Sequence, residues 1–142
     1  MILHASCVAV IGPAGPRAAL LLGPSGAGKS QLALRMLAQG ALLVADDRTV
    51  LTHDSAGLTA SAPGSIRGLI EARGIGLLRA PTIGTATIAL AVDLGQPESR
   101  RMPPARTWSA LGVTLPLLHA PETGCLPSAV TLYLRDGAFC PP

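Results

Sequence analysis

The sequence predicts an α/β fold with a central sheet, largely parallel or mixed, flanked by helices. Three observations carry this reading. Residues 18–22 and 41–45 are short apolar runs of the kind that form strands buried on both faces. A glycine-rich stretch, 23–30, leaves the first run directly. It is followed by a helical period in which Leu32, Ala33, Met36 and Leu37 share one face while Gln31, Arg35 and Gln39 lie away from it, with Gly40 as the stop signal.

Taken in order, residues 7–11 form an apolar run that places Cys7 in the core. The strand at 18–22 enters Gly23-Pro24-Ser25-Gly26-Ala27-Gly28-Lys29-Ser30, a Walker A pattern. With 16 glycines and one lysine in 142 residues, a chance match to its four constrained positions is expected only about 0.002 times. The strand, loop and helix together predict a P-loop NTPase-type core. Glycines let the loop approach phosphates closely, and the helix N-terminus presents its amides to them. Lys29 then pairs with the terminal phosphate oxygens and Ser30 is a Mg²⁺ ligand, which makes a nucleotide phosphate the expected ligand.

The strand at 41–45 ends in Asp46-Asp47, two carboxylates at the strand edge where open α/β sheets bind ligands. Asp also caps and turns at strand ends, but adjacent acids beside a phosphate loop repel unless a cation or proton relieves them. One aspartate facing Mg²⁺ and the other accepting a proton from an incoming hydroxyl would make a kinase. Residues 49–52 read as a strand, 53–57 as a hairpin turn and 61–64 as a break, with a short helix expected over 66–72. Glu71 stands alone among apolar residues before a run punctuated by Gly74 and Gly76. In the second half, 87–92 reads as a strand and 96–104 as a proline-bearing linker. Residues 127–134 read as a closing helix with proline in its first turn, a strand being the alternative.

Composition narrows the class. The length suits one domain, residues 1–142, just able to enclose a two-layer core. Mean hydropathy is +0.46, yet the longest central charge-free stretch, 80–92, is short and holds Pro81 and Gly84, so no membrane span is expected. The N-terminus lacks the parts of a signal peptide, and a cytoplasmic protein beginning here is expected. Cys7, Cys125 and Cys140 suit neither a disulfide framework nor a zinc site, and the last two fall in loop and tail. A net charge of +3 and three aromatic residues (Trp108, Tyr133, Phe139) provide no platform for nucleic acid. His53 and His119 have no partner at metal-ligand spacing and are given no role.

Three segments together resemble the catalytic domain of the HPr kinase/phosphorylase family: the loop 23–30, Val44-Ala45-Asp46-Asp47-Arg48, and Glu71-Ala72-Arg73-Gly74-Ile75-Gly76. The third is the discriminating one, because Walker A loops occur in many unrelated NTPases. The likeness runs well over residues 3–78 and loosely beyond. It implies a kinase that moves the γ-phosphoryl group of ATP to a serine of an HPr-like phosphocarrier protein, with phosphorolytic removal in many members. It further implies Asp46 as base, Ser30, Asp47 and Glu71 around Mg²⁺, His4 near the catalytic aspartate, and a hexameric homo-oligomer. The chain resembles a short form without the N-terminal domain. Where the family carries an arginine-bearing loop tied to phosphorolysis, residues 115–121 hold no arginine, although Arg100, Arg101 and Arg106 precede them. Those three supply positive charge to an anionic site or simply solvate a loop. A small-metabolite kinase and a nucleotide-binding regulatory module remain the alternatives.

Overall fold

The computed structural model describes residues 1–138; Cys140, expected in the tail, lies outside them. Chain order is β1 (Ile2–Leu3), β2 (Ser6–Gly12), β3 (Gly15–Leu22), α1 (Lys29–Ala38), β4 (Leu42–Ala45), β5 (Thr49–Asp54), β6 (Gly57–Ser61), a 3₁₀ turn (Gly64–Ile66), β7 (Leu69–Ala72), β8 (Gly76–Arg79), β9 (Thr85–Glu98), β10 (Thr107–Ala110), β11 (Val113–Pro121) and α2 (Leu126–Asp136).

The main sheet is mixed, with strands ordered β1-β5-β6-β9-β3-β2-β4 and the β10–β11 pair joined to β9. Only β3–β9 and β9–β11 run parallel; the remaining pairs in this sheet are antiparallel. Of the two arrangements the sequence allowed, the sheet is therefore the mixed one. β3 and β4, the strands on either side of the glycine loop and α1, are not neighbours, because β2 lies between them and pairs with both. β2 therefore delivers its own residues to the gap between the loop and the end of β4.

Alternation along the central strands sorts the core into two clusters. Val8, Val10, Ala19, Leu21, Leu90 and Val92 pack under α1 and α2, meeting Leu32, Met36, Val130 and Leu134. Cys7, Ala9, Ala18, Leu20 and Ile88 point the other way, against Leu51, Leu58 and Leu115. Ile88 and Leu90 would share a face in a regular strand. A bulge opposite Ala18 and Ala19 inserts one residue and sends them to opposite sides. Burial pushes the Cys7 thiol far above its ordinary range, so it stays an inert core group.

The helix expected over 66–72 is not there. A single 3₁₀ turn ends at Ile66, and Leu69–Ala72 is β7, paired antiparallel with β8 in a two-stranded sheet. Gly68 and Gly74, both at positive φ, confine the segment to fewer residues than a stable helix needs. Its burial alternates with period two, Ile70 and Ala72 inward and Glu71 outward. The linker also begins later than expected, since β9 continues to Glu98 by pairing Pro97 and Glu98 with Ala120 and Pro121. The segment 115–121, compared above with a loop, lies within strand β11 and carries His119. His53 likewise belongs to β5 and not to the turn that follows it. The closing segment is helix α2, not a strand. No helix among the described residues is long and apolar enough to cross a membrane.

Candidate active site

The glycine loop joins the C-terminal end of β3 to α1. Gly28 caps the helix in a left-handed conformation, φ 104°, with no side chain closing the first turn and no acidic residue in it. The helix therefore presents open amides and the positive end of its dipole to the cleft. Gly23, at φ 134°, has the backbone of Gly95 so close that a Cβ would sit 3.1 Å from its nitrogen. β9 thus backs the loop at its first glycine. Lys29 is 6% exposed and donates to its own loop's carbonyls, Gly23 O at 2.7 Å and Pro24 O at 3.2 Å. Its ammonium is held within the loop by weak neutral acceptors that an anion would displace.

Asp46 directly follows β4 and is buried. Its Oδ1 accepts from Ser30 Oγ and from Ser6 Oγ, each at 2.7 Å, and its Oδ2 accepts from the Glu71 backbone N–H at 3.2 Å. One carboxylate therefore ties β2, α1 and β7 together. Asp47, next along the chain, takes a left-handed conformation at φ 67°, which a non-glycine residue adopts at a cost in strain. Its N–H donates to Ser6 Oγ at 3.2 Å, and its Oδ1 forms a 2.6 Å hydrogen bond with His4 Nε2. The turn throws the two carboxylates apart: Asp46 into the protein, Asp47 out to solvent.

His4, Lys29, Ser30, Asp46, Asp47 and Glu71, with Ser25, Gly26 and Gly28 of the loop, line one cleft of about 660 Å³, while Gly23, Pro24 and Ala27 stand behind it. Ser30 reaches Asp46 and not Asp47, His4 reaches Asp47 and not Asp46, and Glu71 joins the group through its backbone. Among the described residues no three His, Cys, Asp or Glu side chains converge as a ready-made metal cage. The Ser30 hydroxyl and Asp46 carboxylate still form an all-oxygen donor pair beside the phosphate loop. That suits a hard divalent cation that takes one or two protein ligands and completes its shell with water and phosphate.

Two features of the site escaped the sequence reading. Ser6 is the buried hydroxyl that orients both aspartates; a polar residue heading an apolar strand, two positions after His4, was its only signal. Among the described residues, the guanidiniums lining the cleft are those of Arg48 and Arg73, and neither is in an ion pair. Arg100, Arg101 and Arg106 do not line it, and Arg106 is ion-paired with Glu98, whose carboxyl also accepts from the Arg100 N–H.

A family model described as the HPr Serine kinase C-terminal domain matches residues 1–95, which includes every residue of this cleft. Among named relatives, the HPr kinase/phosphorylase of Thermoanaerobacter pseudethanolicus is 43% identical over 79 residues, 53% of this chain and 26% of that protein. That of Caldicellulosiruptor bescii is 50% identical over 60 residues, 42% of this chain and 19% of that protein. The chain thus spans about a quarter of the length of the curated relatives it matches. A solved structure, that of the Hpr(Ser) kinase/phosphatase from Coxiella burnetii, superposes with a TM-score of 0.78 at 27% identity. The match covers 96% of this chain and 95% of that one. The loop, the aspartate pair and the Glu71 hairpin lie inside the matched span, and by that match the chain belongs to the family of the HPr serine kinase C-terminal domain.

Proposed function

We propose that this chain is an ATP-dependent serine protein kinase whose acceptor is an HPr-like phosphocarrier protein. The observation that carries this reading is the buried Asp46 carboxylate set 2.7 Å from the hydroxyl of the phosphate-loop residue Ser30, with Asp47 and His4 in the same cleft. A passive nucleotide switch has no need of a second carboxylate and an imidazole beside its phosphates. The names of the relatives supply the acceptor class.

Catalysis in such a site is positioning and charge neutralisation more than covalent chemistry. The open amides of α1 and the Lys29 ammonium receive the phosphate oxygens. Ser30 and Asp47, with Glu71 at the cleft wall, would hold Mg²⁺, which when bound neutralises charge on the phosphates. The other carboxylate of the aspartate pair accepts the proton of the incoming serine hydroxyl. Asp46 carries that role by family pattern, and Ser6 and Ser30 keep its carboxylate oriented. The chain acts as one catalytic unit in the cytoplasm, and by family pattern as a hexamer.

The test is intact-mass analysis of an HPr-type phosphocarrier after incubation with this protein, ATP and Mg²⁺. One added phosphate, mapped to serine and lost in Lys29→Ala and Asp46→Asn, is the expected result. Asp46→Asn should keep nucleotide binding. Equal transfer by Asp46→Asn and the parent would remove Asp46 from the chemistry. Nucleotide binding with no transfer by the parent would favour a regulatory module instead.

A further inference from the structure

We propose that the bulge in β9 at residues 94–96, with Gly95 at its centre and Asp93 as its brace, positions the phosphate loop from behind the cleft and through it sets the place of the Lys29 ammonium. The inference deepens the kinase reading and rests on its assignment of Lys29 to nucleotide phosphate. Along β9, Asp93 stands opposite Leu22 of β3 on one side and opposite His119 of β11 on the other. The next residue of β11, Ala120, pairs with Pro97, so residues 94–96 are passed over by that strand, and β3 ends at Leu22. Strand residues left out of the ladder need another partner for their amides. The Asp93 carboxylate supplies one by accepting from the Gly95 N–H at 2.9 Å.

The bulge lies against the first two residues of the loop. A Cβ placed on Gly95 would stand 2.9 Å from Pro24 Cδ, 3.3 Å from Asp93 Oδ1 and 3.8 Å from Gly23 Cα. Gly95 is not among the glycines at positive φ, so its backbone would accept alanine, and what excludes a side chain is the loop itself. Pro24 Cδ is a ring atom bonded to the peptide nitrogen and cannot swing aside as the end of a flexible side chain does. Pushing it moves the Gly23-Pro24 peptide. The carbonyl of that peptide is Gly23 O, which accepts from Lys29 Nζ at 2.7 Å, and Pro24 O accepts from the same ammonium at 3.2 Å. Gly95 therefore packs against a peptide whose oxygen holds the lysine. The loop's own glycines give it the freedom to approach phosphate, and the bulge behind it fixes where the lysine waits.

The experiment measures binding of a non-hydrolysable ATP analogue with Mg²⁺ to the full chain by calorimetry, with urea unfolding of each ligand-free variant beside it. Gly95→Ala should weaken the analogue about tenfold or more, the loss of one well-placed charge-assisted contact. Three comparisons separate positioning from damage to the fold. Pro24→Ala removes the atom that the new Cβ meets, so P24A/G95A should bind nearly as Pro24→Ala alone does, a non-additive pair. Asp93→Ala should weaken the analogue, and Asp93→Asn, which keeps an acceptor oxygen, should recover most of the affinity. Gln96→Ala, at the exposed neighbour in the same bulge, should leave affinity unchanged. Equal affinity in Gly95→Ala and the parent overturns the positioning role, and so does an equal loss from Gly95→Ala in the parent and Pro24→Ala backgrounds. A variant whose ligand-free stability falls while its affinity holds shows a part of the fold alone and overturns it too. Failure of the kinase reading is seen elsewhere, as absence of phosphoryl transfer by the parent in the mass assay while the affinity difference between the parent and Gly95→Ala persists.

Discussion

The Ser6 hydroxyl donates to Asp46 and accepts from the Asp47 N–H, so one buried oxygen sets the orientation of two adjacent carboxylates. Removing it leaves a part-buried N–H and a buried carboxylate oxygen short of a partner, a penalty of about 1–3 kcal/mol. Ser6→Ala should therefore lower the unfolding free energy by that amount, seen as a lower urea midpoint, and it should also lower transfer because the left-handed Asp47 loses its tether. An unchanged midpoint would show that water replaces the hydroxyl. Lys29, Ser30 and both aspartates were legible because their types recur at phosphate sites in a recognisable spacing. Ser6 was not, since its role depends on β2 lying between β3 and β4, which local spacing does not encode. The pairing of His4 with Asp47 was hidden for the same reason: the left-handed φ at Asp47 decides which carboxylate turns outward.

At the scale of elements, α2 closes the helix side of the sheet with Val130 and Leu134 fully buried. Leu134→Ala removes a side chain from a close-packed cluster and should cost about 2–5 kcal/mol, read from equilibrium unfolding. The β9 extension is held differently. Partial burial by itself would raise the Glu98 carboxyl, but the Arg100 N–H, the Arg106 guanidinium and the charges of Arg106 and His119 outweigh it and hold it below its ordinary range. A carboxyl depressed in the folded state stabilises above its unfolded pKa and loses that contribution as pH falls through the folded one. Thermal stability should thus decline below the ordinary carboxylate range, and Glu98→Gln should flatten that part of the profile. A parallel decline in parent and variant would place the acid sensitivity elsewhere. The β7–β8 hairpin shows why an element can be misread. Leu69–Ala72 suits a helix by residue type, and only its glycine borders and two-residue burial period mark it as a strand.

For the whole molecule, the cleft gathers residues from the β1–β2 connection, the glycine loop, α1, the turn after β4 and β7, so a bound nucleotide braces separate elements at once. A ligand that binds only the folded state stabilises it by about 2.7 kcal/mol at a hundredfold excess over Kd. Mg²⁺ and ATP should raise the unfolding temperature of the parent, and Lys29→Ala should lose most of that rise. An equal rise in Lys29→Ala would show that the nucleotide is held without its lysine.

What the sequence determined by itself is the strand, loop and helix of the phosphate site, the aspartate pair at the following strand end, and the α/β class. Each follows from residues adjacent in the chain, where glycine conformations, apolar period and helix stop signals act locally. The tertiary structure decided the rest: the mixed order with β2 between the loop's two strands, the bond that brings the Glu71 hairpin to Asp46, and the two arginines that line the cleft. These depend on which strand pairs with which. Pairing is settled by burying both faces of the sheet at once, a condition that no local stretch of sequence contains.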